Sequence, residues 1–121
     1  VREITARAVQ AARDDMTTTP DAASAARSAL TALPGFTTGD ALASAVIAAA
    51  APRRMAEYDR RAHAALRAVL GRDIGRRPGR YLRYMTEIVG VLDAVRVHDP
   101  EWTARDVDLA LFWLGGQKEG A

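Results

Sequence analysis

An all-α fold of about six helices is what this sequence predicts, and three observations predict it. Apolar residues make up 49% of the chain but aromatics only 6%, because Ala dominates the apolar share. Ala is the best helix former and a poor strand former. Apolar residues also recur three and four positions apart in one segment after another, and no stretch shows the alternation of a strand. Pro and Gly fall between those segments, where helices must end. At 121 residues the chain fits one helical domain, 1–121, large enough for a core without staples.

The elements follow in order. Ile4, Ala8, Ala11 and Ala12 form a helical stripe over residues 2–15. Thr19 followed by Pro20 reads as an N-cap with Pro at the first helical position, and Ala23, Ala26, Leu30 and Leu33 carry a second helix to about residue 32. Pro34-Gly35 ends it. Thr38 or Gly39 caps a third helix, with Asp40 in the first turn favoured by the dipole and Leu42, Ala45, Val46 and Ala49 on its apolar face. Pro52 closes that helix.

Asp59 is placed to cap a fourth helix, carrying Ala62, Leu66, Val69 and Leu70 and ending at Gly71. The stretch GRDIGRRPG, 71–79, is a loop. Tyr81, Met85, Ile88, Leu92 and Val95 then mark an amphipathic helix over roughly 79–96. Thr103 and Asp106 resemble a capping box. The helix they open presents Val107, Ala110, Leu111 and Leu114 and is expected to stop at Gly115-Gly116, with a mobile tail over 116–121.

Several chemistries are excluded. Without Cys there are no disulfides, thiolate metal sites or cysteine nucleophiles. His63 and His98, 35 positions apart, do not make a zinc site, so no metal is expected. GRDIGRRPG lacks a following Lys-Ser/Thr and a preceding strand, so it is not a P-loop, and no cofactor is expected. No apolar run approaches the roughly 20 residues of a membrane span. The chain opens at Val1 without a signal segment. The expectation is a cytoplasmic protein without a membrane partner, lacking an N-terminal portion.

Charge is unevenly distributed. Residues 1–52 carry −1, residues 53–83 carry +7 and residues 84–121 carry −4. The ten central cations are all Arg: 53, 54, 60, 61, 67, 72, 76, 77, 80 and 83. Guanidinium groups suit bidentate phosphate binding, which points to a polyanion such as nucleic acid. The alternative is a solvated face in a chain where Arg replaces Lys throughout, Lys118 being the sole lysine.

LPGFTTGDALASAV, 33–46, is the stretch that carries most. Its Pro-Gly turn either joins two helices or presents backbone N–H groups at a helix start to a phosphate. Leu33-Pro34-Gly35, the small-residue helix with Ala43-Ser44, and Tyr58-Asp59 together resemble the signature of the HhH-GPD DNA glycosylase superfamily. There a helix-hairpin-helix is followed some two dozen residues later by an Asp at the next helix start; here the separation from Leu33 to Asp59 is 26. Asp108-Leu109-Ala110-Leu111-Phe112-Trp113-Leu114-Gly115 is similar to the closing helix of bacterial members, so the resemblance covers about residues 20–115. Thr37 stands where the pattern has its second Gly, with Gly39 two positions on.

The resemblance implies a double-stranded DNA partner contacted by Leu33, Pro34, Gly35, Thr37 and Gly39 in the hairpin, joined by Arg53, Arg54, Arg60 and Arg61. It implies Asp59 as catalytic carboxylate, stabilising an oxocarbenium-like sugar as an N-glycosidic bond breaks. No Lys stands near Asp40-Ala41, so Schiff-base lyase chemistry is not expected. Read without the family, Asp59 is a helix cap. Glu57 and Asp59, two apart, do not face each other on a helix and stay unassigned. His63 lies one turn beyond Asp59, either a surface helix residue or a contact to phosphate or to the carboxylate; His98 is read as turn or capping chemistry. A second class of function, a helical interaction module, would dimerise or bind a partner protein through the C-terminal helices bearing Trp102, Phe112 and Trp113.

Overall fold

The computed structural model describes residues 1–37 and 39–120; Thr38, Ala121 and the side chains of 117–120 lie outside the described residues. Six helices account for the architecture: α1 (Arg2–Arg13), α2 (Thr19–Leu30), α3 (Ala41–Ala50), α4 (Arg60–Leu70), α5 (Arg80–Arg96) and α6 (Ala104–Gly120). No strand occurs among the described residues. The fold is all-α, as expected, and no described helix is long and apolar enough to cross a membrane.

Local chemistry sets most helix ends. Thr18, one residue earlier than expected, caps α2 by accepting the Asp21 N–H. Asp59 caps α4 by accepting the Ala62 N–H at 2.8 Å, and Gly71 ends that helix in the left-handed region at φ 74°. Thr103 and Asp106 exchange hydrogen bonds at the start of α6. The Ala104 and Arg105 N–H groups there are taken by the Arg53 and Pro52 carbonyls.

Packing joins α1 to α2, α2 to α5, and α4 to α6. The α1–α2 contact is built from buried alanines, Ala8, Ala12, Ala22, Ala23 and Ala26, which let the two backbones approach closely. Bulk comes from the later part of the chain, with Tyr81, Tyr84, Met85 and Ile88 of α5 all buried around Met55 and Leu66. Of the expected α5 stripe, Tyr81, Met85, Ile88 and Leu92 are buried and Val95 is half-buried.

The end of α6 differs from expectation. The helix runs through Gly115-Gly116 to Gly120. A Cβ on Gly115 would stand 2.6 Å from the Arg61 carbonyl oxygen, so α4 and α6 meet where only glycine fits. Gly115 is the buried residue of that turn, and Leu114 is 42% exposed rather than on the packing face. Val69, expected inside, is also exposed.

Arginines hold the connections. Arg13 donates to the Ala50 carbonyl at 2.8 Å, covering the C-terminus of α3. Arg54 donates to the carbonyls of Ala12, Asp14 and Thr17 and to the Thr19 hydroxyl, fastening the α1–α2 corner. Arg83 takes the carbonyls of Ile74, Arg76 and Pro78 in the 71–79 loop, and Arg96 takes that of Trp102. Carbonyls at helix ends and in loops lack partners of their own, and the guanidinium fork satisfies several at once.

Candidate functional site

The hairpin between α2 and α3 is a Pro-Gly turn closed by the Phe36 N–H on the Leu33 carbonyl, with Gly35 at φ 86°. Leu33 anchors it in the core, while Pro34, Gly35 and Thr37 are exposed. Gly39 also has positive φ, and no atom lies within 4 Å of where a Cβ would sit on either glycine. The space over both glycines is open.

The inner side of the hairpin is clamped. Arg27 of α2 donates to the carbonyls of Phe36 and Gly39 at 2.7 and 2.8 Å, and its Nε reaches Asp40 Oδ1 at 3.1 Å. Arg80, at the start of α5, donates to Asp40 Oδ2 at 2.8 Å. Asp40 is therefore a buried carboxylate shared by two guanidinium groups rather than a first-turn acid of α3; it occupies the N-cap position without capping. A cavity of about 230 Å³ opens here, lined by Ser24, Ser28, Thr31, Thr37, Arg77 and Arg80 among others.

Asp59 is positioned by a different device. Residues 55–59 are non-helical, Asp59 itself being extended at φ −148°, and the buried Ser44 hydroxyl of α3 accepts the Tyr58 N–H at 2.7 Å. This fixes the register of the segment that ends in Asp59. Glu57 and Asp59 line one open cleft of about 240 Å³ with Arg105, Asp108, Leu109 and Phe112 of α6. The pair shares this cleft because the segment is not helical, unlike the helical spacing expected of it.

Within that cleft, Asp108 Oδ2 accepts the Glu57 N–H at 2.8 Å and Oδ1 accepts Arg105 at 2.9 Å. Burial raises the Asp108 carboxyl above its ordinary range, against the pull of the Glu57 N–H and Arg105. Arg105 also reaches Glu57 at 3.4 Å. Asp59 makes its cap bond and, among the described residues, no ion pair.

The opposite face of the same segment carries Tyr58. Its hydroxyl meets His63 Nδ1 at 2.6 Å, and His63 Nε2 meets Asp73 Oδ1 at 2.6 Å. Arg80 lies over the Tyr58 ring at 4.4 Å. His63 thus serves Tyr58 and Asp73, not the Asp59 carboxylate, and its hydrogen bond holds Asp73 below the usual carboxylate range. The hairpin and Asp59 line separate cavities, connected through Asp40, Arg80 and Tyr58.

The arginines expected at a DNA surface divide. Arg54 is committed to the α1–α2 corner, and the Cζ of Arg61 lies 4.0 Å from the Phe112 ring centre, packed against α6. Arg53 and Arg60 are exposed, as are Arg67, Arg76 and Arg77, and among the described residues their side chains make no hydrogen bond or ion pair. Sequence reasoning missed Arg27, Ser44 and Arg105; none carries a local signal, since each acts on a segment distant in the chain. No protein-family model, curated protein or solved structure matches the chain.

Proposed function

We infer that the chain binds duplex DNA through the hairpin and the exposed arginines and hydrolyses an N-glycosidic bond at Asp59. One observation carries this reading: Asp59 lines an open cleft beside the exposed Phe112 ring and is the carboxylate there without an ion-pair partner among the described residues. An aromatic face and an available carboxylate in one cleft suit a nucleotide turned out of the stack. As the base departs, positive charge develops on the sugar, and a fixed carboxylate stabilises it. Water then adds its hydroxyl to the anomeric carbon and its proton goes to the base, leaving an abasic sugar. With no lysine in the cleft, strand cleavage through a Schiff base is not part of this reaction. The hydroxyls and Arg77 beside the hairpin support a phosphate contact there.

Labelled duplexes containing uracil, alkylated or oxidised bases test this directly. The expected result is alkali-dependent strand breakage by the wild type and none by Asp59→Asn, with salt-sensitive gel retardation retained by Asp59→Asn and weakened by Arg77→Ala. Release of no base from any of these duplexes overturns the enzymatic part, and no retardation at low salt overturns DNA binding.

A second reading rests on α6, where Leu109, Phe112, Trp113 and Leu114 are 42–61% exposed. Large apolar groups gathered on one helix mark an interface. In this reading α6 binds a second copy or another protein. Sedimentation that depends on concentration and is abolished by Trp113→Ala supports self-association, and a concentration-independent monomer removes it.

A further inference from the structure

Besides the hairpin and the Asp59 cleft, one more cavity gathers cations. It measures about 260 Å³ and is lined by Tyr58, Arg60, His63, Ala64, Arg67, Asp73 and Arg80. Four of these residues come from α4 at helical spacing, so they share one face of that helix. Arg60 and Arg67 stand two turns apart, about 10 Å along the axis, with His63 and the small Ala64 between them. Neither has a hydrogen-bond or ion-pair partner among the described residues.

The remaining walls are rigid. Arg80 is held from two sides, by Asp40 at 2.8 Å and by the Tyr58 ring, so its guanidinium is oriented before any ligand arrives. His63 is fixed at both ring nitrogens, by Tyr58 and Asp73. The one carboxylate lining the cavity, Asp73, is engaged by His63 rather than by an arginine. Two guanidinium groups without partners among the described residues and a third pre-oriented one line an open space whose acid is already occupied. An isolated helix face with spread arginines would show neither the fixed Arg80 nor the occupied Asp73.

We propose that the α4 face formed by Arg60 and Arg67, with Arg80 beside it, is a phosphate-binding site distinct from the hairpin. Arg60 and Arg67 bridge the phosphate oxygens and Arg80 supplies the fixed charge at the wall. The phosphate belongs either to a nucleic-acid backbone, in which case the site rests on the DNA reading above, or to a free phosphorylated compound. Asp59 and the hairpin play no part in it.

Amide chemical shifts followed by NMR during titration with inorganic phosphate, a 5′-mononucleotide and a short duplex test the site. Shifts centred on residues 60–67, 73 and 80 are expected, with affinity for the mononucleotide falling tenfold or more in Arg60→Ala/Arg67→Ala. Both side chains are exposed, so this variant keeps the fold, which its unchanged α1–α2 amides report. If all three probes shift these amides, the source is the backbone, and Arg67→Ala lowers the salt slope of duplex binding by about one. If phosphate and mononucleotide shift them while the duplex does not bind, the site stands and the DNA reading falls. If no probe moves them, or the double variant binds like wild type, the site is overturned, whatever base-release assays show.

Discussion

Arg80 donates from Nε to Oδ2 of Asp40 at 2.8 Å, tying the start of α5 to the hairpin. The other carboxylate oxygen takes Arg27, so the buried acid balances two guanidinium groups that are themselves largely covered. Removing the acid leaves both cations facing each other without an anion. Asp40→Asn is expected to lose about 3 kcal/mol in urea denaturation, and Asp40→Ala more, as for other broken buried pairs. A midpoint equal to wild type would show that the clamp contributes nothing net.

Gly115 and Gly90 make a matched pair of opposite sign. An added methyl at Gly115 meets the Arg61 backbone, which cannot turn aside, whereas at Gly90, mid-helix in α5, it meets nothing within 4 Å. Gly115→Ala is expected to destabilise by about 1–3 kcal/mol through overpacking. Gly90→Ala is expected to stabilise by about 0.5–1 kcal/mol through helix propensity. Thermal melts of the two variants check both signs.

Ser44 is the fixed point for the segment leading to Asp59. Ser44→Ala leaves the Tyr58 N–H buried without its acceptor, at a cost of about 1–3 kcal/mol. The same change is expected to broaden the Asp59 amide resonance, since the register of 55–59 is no longer held. A sharp, unshifted Asp59 signal in this variant would argue that α6 alone positions the segment.

All three tyrosines, Tyr58, Tyr81 and Tyr84, are buried, and burial is the largest cause raising each phenol above its ordinary value. For an acid whose folded value is raised, stability is complete below the unfolded value, near 10, and is lost as pH climbs above it. Absorbance of tyrosinate is therefore expected to be absent in the native protein around pH 10. It should appear only together with loss of helical circular dichroism at higher pH. Titration of even one tyrosine near pH 10 in the folded chain would contradict this burial.

The helical architecture was readable because its signals are local. Asp59, Gly71 and the Thr103–Asp106 box act on residues one turn away, and the α5 stripe repeats within its own helix. What could not be read depends on partners far along the chain. Asp40 looks like a first-turn acid until Arg27 and Arg80 converge on it. Glu57 and Asp59 seem unrelated until the segment is seen to be non-helical and both residues are found lining one cleft. Gly115-Gly116 reads as a stop because its packing partner, Arg61, lies in another helix. Arg54 and Arg83 count toward a cationic surface until their guanidinium groups are found on carbonyls.

Those arginine-to-carbonyl ties also bear on the order in which the chain can organise itself. Arg27 reaches the hairpin over only 9–13 residues, whereas Arg54 reaches the α1–α2 corner over 35–42. Closing the longer loop costs more chain entropy and must wait for contacts of high sequence separation. The hairpin carries its own latch and can close with α2 alone. The corner between the first two helices stays unlatched until residue 54 arrives, whereas Arg27, the nearer of the hairpin's two clamps, lies within its reach from the start.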